Sequence, residues 1–385
     1  MANSTVLITG ARAPVALHLA RLLYGAGRRV ILADSPARPI AAASNACALY
    51  HRLPPPRFAG RAYGEAVEAL VRSEGIELVI PTCEEIFYLG QLWRDRAMPA
   101  RLFAPDMALL AQVHDKHIFI QLVESLGLAV PETMLLQSKD DLQAVRGRSR
   151  ELVFKPVGSR FASHVLLRPS PEKLDAIDPS TAMPWVAQGF VTGDEISAYA
   201  VALNGKLKAL GLYRSLYRAG KGAGICFELV EDPAARRFVE TFVAGTGWTG
   251  QISFDLMREK GGRVLPLECN PRAVSGLHFF RDPRRFTEAM LEDGREVKPD
   301  VSTPQTVRLA MWIYGLPAAL RSLRIARFSQ AMRAADELLD WPGDPAPKQA
   351  QWRALAEIAG TALRQHISLQ QASTRDIEWD GPLQD

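Results

Sequence analysis

The sequence is poor in cysteine. Cys47, Cys83, Cys226 and Cys269 are the only four in 385 residues, and no two form a CxxC pair. Their dispersal excludes a structural zinc site and a disulfide framework, and makes a reducing cytoplasm the simplest setting. No apolar run approaches the roughly 18 residues that a membrane span needs. The opening MANSTVLITG lacks the basic start, apolar middle and cleavage site of a secretory leader. Charge of one sign is not in surplus either. Lys and Arg number 46 against 42 Asp and Glu, and the net +4 is not gathered into a basic tail. No nucleic-acid partner is expected, and anionic small molecules fit such a balance better. Internal repeats and low-complexity segments are absent.

Two glycine patterns are also missing. Residues 5–9 read as a strand, followed by Gly10, a helix to about Gly25, and a second strand over 28–34 that ends in Asp34. This opening has the βαβ form of a dinucleotide site, but GARAPVA lacks the second and third glycines of GxGxxG. Without them the backbone cannot approach a pyrophosphate closely, so a Rossmann-like scaffold without NAD is expected. Residues 157–165 (VGSRFASHV) are small and polar, able to lay backbone N–H groups against phosphates, yet GxxxxGK[ST] is not there.

What is present centres on residues 264–276, VLPLECNPRAVSG. In a strand, residues i and i+2 share a face, so Glu268 and Asn270 are oxygen ligands side by side, with Arg272 just beyond. Residues 251–257 (QISFDLM) read as a second strand carrying Asp255, joined to the first by the polar turn REKGGR. Two carboxylates and an amide on paired strands suit a hard cation such as Mg²⁺. Lys155 lies inside the apolar strand 152–156 (LVFKP), where a lysine is costly unless it meets an anion.

The length exceeds one hydrophobic core and implies two or three domains, the first ending near residue 110. Helices are expected over 63–73, 116–127, 138–146, 233–246 and 285–291. Strands are expected at 78–81, 101–104, 132–136, 185–191, 194–202, 206–213 and 224–230. The strand at 78–81 runs into TCEE, and strand carboxyl ends line the ligand crevice of parallel sheets, which makes Thr82, Glu84 and Glu85 site candidates. As helix N-caps they would be purely structural. Residues 214–224 (RSLYRAGKGAG) read as a basic, glycine-rich loop, either solvated or an anion-gripping lid. From 301 onward helices are expected at 318–329, 332–338 and 349–365, with the proline-rich connector WPGDPAP at 341–347.

The ordered series Lys116, Lys155, Gln188–Val191, Glu195, Asp255 and Glu268-Cys-Asn270-Pro-Arg272 resembles the ATP-grasp superfamily, in particular its carboxylate–amine ligases and the ATP-binding halves of carbamoyl phosphate synthase. The resemblance spans about residues 1–300, and ExNPR is its most specific motif. It implies an α/β and α+β multidomain chain: a Rossmann-like N-terminal domain (1–110), an ATP-grasp domain (111–300; lid about 115–185, core about 186–300), and a mostly helical extension (301–385). It further implies that Lys116, Lys155 and Ser159 contact the phosphates of ATP. The backbone of Gln188, Gly189, Phe190 and Val191 would read the adenine, with Glu195 on the ribose. Asp255, Glu268 and Asn270 would hold Mg²⁺ (or Mn²⁺), with Arg272 and Lys155 as the catalytic cations. Glu84, Glu85, Arg214, Arg218, Lys221 and Ser275 are the candidates for substrate contact. Two positions depart from the family pattern: Gln188 stands where many relatives have glutamate, and the 157–165 loop carries one glycine.

The activity implied is joining a small-molecule carboxylate to an amine or thiol through an acyl phosphate, with release of ADP and phosphate. A small-molecule kinase of the same fold, a non-catalytic nucleotide-binding protein and an NAD-dependent oxidoreductase are the alternatives. A homodimer through the first domain or the helical tail is compatible with the sequence.

Overall fold

A computed structural model of the chain describes residues 4–158, 165–220 and 222–379. The first sheet contains β1 (Thr5–Thr9), β2 (Arg29–Asp34), β3 (Leu49–Arg52), β4 (Leu78–Ile80) and β5 (Arg101–Leu102). All are parallel, in the order β3-β2-β1-β4-β5. A parallel sheet needs cover on both faces, and alternate residues supply it. Val6, Ile8, Val30 and Leu32 share one core with the helix Pro14–Gly25. Leu7, Ile31 and Val79 share another with Val67, Leu70 and Val71 of the helix Gly60–Ser73.

A four-stranded sheet follows. It is built from β6 (Thr133–Leu136), β7 (Leu152–Pro156), β8 (Leu166–Leu167) and β9 (Trp185–Gly189), antiparallel in the order β6-β9-β7-β8. Leu142 and Val145 of the helix Lys139–Arg146 close its small core against Phe154, Trp185 and Ala187.

The third sheet has seven strands: β10 (Asp194–Leu203), β11 (Lys206–Arg218), β12 (Gly224–Leu229), β13 (Gly250–Arg258), β14 (Val264–Asn270), β15 (Gln305–Thr306) and β16 (Asp336–Glu337). Their order is β14-β13-β10-β11-β12-β15-β16. Ile196, Ala198, Ala200, Ile252, Phe254, Leu256 and Cys269 turn to one face. There they pack on Phe238 and Phe242 of the helix Pro233–Thr246 and on Phe119 of the helix Lys116–Ser125. The period of two then sends Ser197, Ser253, Asp255, Glu268 and Asn270 to the opposite face. That partition creates the polar surface of the site.

The first and third sheets share a core. Tyr199, Val201, Leu277 and Phe280 join the cluster around the helix Pro14–Gly25. Inside it His18 Nε2 donates to the Phe280 carbonyl (2.7 Å), and the His18 ring meets His278 edge-on at 4.8 Å and Trp341 at 5.2 Å. Among the described residues no helix is long and apolar enough to cross a membrane.

Three expectations of the tail and loops are corrected. The basic loop expected over 214–224 is strand as far as Arg218, because β11 keeps pairing with β12 through two irregular steps. Tyr217 also packs edge-on against Phe328 at 6.1 Å, which holds the extension down. The helix expected at 332–338 stops at Ala334, and Asp336–Glu337 becomes a strand parallel to β15. Glu337 fixes it there by accepting from the Arg308 N–H (2.8 Å) and the Leu339 N–H (3.2 Å). The single helix expected at 318–329 is two, Leu316–Arg321 and Ile325–Ala334, parted where Leu323 takes a φ of +54°. Absent from the expectations were β3, β15 and the helices Met107–His114 and Leu369–Thr374, while the helix Glu85–Asp95 entered only through its N-cap candidates.

Candidate active site

The antiparallel register of β13 and β14 sets Asp255 directly opposite Glu268, and Ser253 opposite Asn270. An irregular step follows Asp255, so that Leu256 faces Pro266 and Leu267 is the extra residue. Ser197 of β10 completes the row beside Asp255, and its Oγ donates to Asp255 Oδ1 at 2.9 Å. Burial first, then the charges of Glu268 and Glu195, push the Asp255 carboxyl up to about 6, against the Ser197 hydrogen bond. Two carboxylates therefore face one another across a half-buried surface.

Lys155 projects from β7 toward this row. Its Nζ donates to Gln188 Oε1 (2.9 Å) and lies 3.4 Å from the Leu267 carbonyl, so it ties the four-stranded sheet to β14. Burial pushes the Lys155 ammonium down to about 8; Glu268 resists the shift and the nearby Lys116 charge adds to it. Lys116 is buried, with its Nζ 3.3 Å from the Val157 carbonyl. The Lys155 and Lys116 ammonium groups thus lie near one another, with Glu268 and Asp255 as the carboxylates facing Lys155.

Lys116 is placed by its helix cap. Asp115 accepts from the His117 N–H (2.8 Å) and the Ile118 N–H (2.9 Å), satisfying two of the orphan donors of that helix. Asp115→Ala is expected to cost about 1 kcal/mol of stability in a urea titration.

Gln188 is buried, and its amide nitrogen donates to Thr133 Oγ1 at 3.2 Å. The N–H groups of Gly189 and Phe190 are spent on the carbonyls of Glu132 and Glu151, both at 2.8 Å. Val191, just beyond β9, is half-buried. Glu195 pairs with Arg218 across the sheet, whereas Arg214 is turned outward to Glu228 on β12. Ser275 reaches the Tyr213 hydroxyl. The backbones there touch: a Cβ on Gly211 would sit 2.7 Å from the Gly276 carbonyl. Arg272 Nη1 stands 3.9 Å from Glu84 Oε1, bridging β14 to the end of the first sheet. Glu85 instead faces inward. Its Oε1 accepts from the Thr9 hydroxyl (2.7 Å) and from the N–H groups of Thr82 and Cys83, both at 3.1 Å. Ser159 and Lys221 lie outside the described residues.

Sequence reasoning missed Ser197 and Tyr213. The phenol of Tyr213 is held above its usual pKa by burial and then by the Asp255 charge, with Ser197 and Ser275 as its hydrogen-bond partners. Neither belongs to a motif, and only their alternation along β10 and β11 hinted at the polar face.

Among the described residues no three His, Cys, Asp or Glu side chains converge to hold a metal by themselves. Asp255, Glu268 and Asn270 fit Mg²⁺, which takes few protein oxygens and fills its remaining positions with phosphate and water. A carboxylate pair of which one member is pushed up by burial and then by its like-charged neighbour is what such a cation relieves.

A parallel sheet, then a small antiparallel sheet, then a larger and mostly antiparallel one form a fold that recurs in solved structures. Solved structures of that fold superpose on the chain. N5-carboxyaminoimidazole ribonucleotide synthetase in its ADP complex gives a TM-score of 0.62 at 14% identity, over 78% of this chain and 80% of that one. The L-amino acid ligase of Bacillus licheniformis gives 0.62 at 14% identity, over 80% of each chain. The biotin carboxylase domain of the Hydrogenobacter thermophilus 2-oxoglutarate carboxylase, in complex with MgADP and bicarbonate, gives 0.60 at 12% identity, over 78% of this chain and 73% of that one. At such identities the likeness is one of fold. No protein-family model matches the chain, and no curated protein matches it in sequence.

Proposed function

We propose that the chain is an ATP- and Mg²⁺-dependent ligase that activates a small-molecule carboxylate and joins it to an amine. The observation that carries this reading is the Asp255–Glu268 pair, opposed across β13 and β14, with Lys155 anchored beside it at the Leu267 carbonyl. On this reading residues 1–110 form the N-terminal domain, 111–300 grip the nucleotide, and 301–385 form an extension.

Hydroxide is a poor leaving group, so a carboxylate does not condense with an amine at neutral pH. Transfer of the γ-phosphoryl group of ATP to a carboxylate oxygen gives ADP and an acyl phosphate. Attack by the amine then forms the C–N bond, expels phosphate and releases a proton. The protein contributes position and charge neutralisation. Mg²⁺, when bound, would draw negative charge from the phosphate oxygens. Buried Lys116 and half-buried Lys155 would supply the opposing positive charge, which acts more strongly away from bulk water. On this reading Arg272, two residues beyond β14 and 3.9 Å from Glu84 Oε1, would steady the transferred group. Glu84, beside Arg272, is then the candidate base for the second step, and Glu85 is committed to the first sheet.

Incubation with ATP, Mg²⁺ and mixtures of small carboxylic acids and amines should release phosphate only when an acid is present. Mass spectrometry of the product should show an acid–amine adduct. A stable phosphorylated acceptor would make the chain a kinase instead. No acid-dependent release combined with no ATP binding would remove both readings.

A further inference from the structure

After the helix Leu369–Thr374 the chain runs back across the carboxyl ends of β1, β2 and β4 and fastens itself to the first sheet. Arg12, on the turn between β1 and its helix, is the main anchor. Its guanidinium holds Asp34 (Nη2–Oδ1 2.6 Å) and also Asp376 (Nη1–Oδ1 2.5 Å, Nη2–Oδ2 2.8 Å). Ser35 donates to the same Asp376 carboxylate. Ile377, 3% exposed, roofs a crevice lined by Thr9, Gly10, Asp34, Tyr63 and Glu85. Glu378 pairs with Arg57 at 2.6 Å, and Trp379 packs edge-on against Tyr88 at 4.8 Å.

Two features mark this contact as an occupancy rather than a finished core. The Tyr63 hydroxyl and Glu85 Oε2 both line the crevice and are buried without a hydrogen-bond partner. Well-packed interiors rarely leave such groups unmet. Second, Asp34 already neutralises Arg12, so Asp376 is a surplus carboxylate on one guanidinium. It is the more exposed of the two, at 23% against 3%. The strap also reaches the catalytic face, because the Trp379 N–H approaches Glu84 Oε2 (3.4 Å) and Glu84 neighbours Arg272.

We propose that residues 376–379 are a displaceable strap that fills, with the Asp376 carboxylate, the place of an anionic ligand group on Arg12. The ligand carries a carboxylate or a phosphate for Arg12 and Ser35. It also carries polar groups for Tyr63 and Glu85, which the strap leaves unmet. Its arrival lifts Trp379 from the first sheet and changes what Glu84 meets beside Arg272. Arg12, Ser35 and Asp376 carry this whether or not the chain turns over ATP.

Hydrogen exchange at the Ile377 and Trp379 amides of the full chain tests it, with succinate and inorganic phosphate as separate probes against sodium chloride of equal ionic strength. The expected result is that at least one probe accelerates exchange several-fold beyond the salt control. The probe that acts tells carboxylate from phosphate recognition. Asp376→Asn should exchange rapidly without any probe and bind the active probe at least about tenfold more tightly, since the closed state no longer competes. Arg12→Gln should exchange rapidly and bind neither probe. The strap is a fixed structural element if neither probe exceeds the salt control, or if Asp376→Asn binds no more tightly than wild type.

Discussion

Glu268→Gln is expected to lower acid-dependent phosphate release about 100- to 1,000-fold while leaving the fold intact. The substitution keeps size and shape but removes one of the two carboxylates that face each other across β13 and β14. In the free protein that removal is a relief, because Glu268 is the largest charge pushing the Asp255 carboxyl up. The melting temperature without Mg²⁺ should therefore stay level or rise. The stabilisation that wild type gains from Mg²⁺ with an ATP analogue should shrink or vanish. Loss of activity with a raised apo melting temperature is a signature that a merely structural glutamate would not give. Full activity in Glu268→Gln would remove the metal assignment.

Acidification from pH 7 to pH 5 is expected to destabilise the protein through His18 and His278. Both are buried, at 1% and 2% exposure, in the core shared by the first and third sheets. Burial, with the charges of Arg281 and Arg21 adding to it, pushes His18 down to about 3. Burial and then the His18 ring hold His278 well below its usual value. The folded pKa lies below the unfolded one, so the unfolded chain binds more protons as the pH falls. Stability is then full above about pH 6.5 and is lost steadily below it. Between pH 7 and pH 5 His18 accounts for about 2 kcal/mol, and His278 acts in the same direction. A typical total is about 5–15 kcal/mol, so this is a measurable share.

Asp255, Glu85 and Glu337 have carboxyls pushed up by burial and work in the opposite direction over the same range. The informative quantity is therefore the difference between wild type and His18→Gln. The glutamine amide can keep the donation to the Phe280 carbonyl but cannot titrate. Its loss of stability from pH 7 to pH 5, measured by urea unfolding, should be smaller than that of wild type by about 2 kcal/mol. Equal slopes for the two proteins would show that His18 does not stay neutral in the folded state.

The row of Asp255, Glu268 and Asn270 was legible in the linear sequence because it depends on local order. Glu268 and Asn270 share a face through the strand period, and the turn at 258–263 returns β14 along β13 to bring Asp255 opposite Glu268. Lys155 stood out because a lysine inside an apolar strand demands an anion, a demand that needs no knowledge of distant residues. The expected helix at 233–246 matches Pro233–Thr246, where Asp232 caps the start and Gly247 in the left-handed region ends it.

Contacts between residues far apart in the chain were not legible. Arg272 meets Glu84, His18 meets His278, and Arg12 meets Asp376 across 364 positions, and none of these pairs leaves a periodic trace. The same reason explains β16. Asp336–Glu337 follows a helical pattern and becomes a strand only because β15 offers an edge and Arg308 an N–H. The sequence alone determined which side chains carry charge to the site and on which face of their strands they stand. The tertiary structure alone decided what each of them meets, because strand period and capping are set within a few residues, whereas burial and pairing are set by segments the chain brings together only on folding.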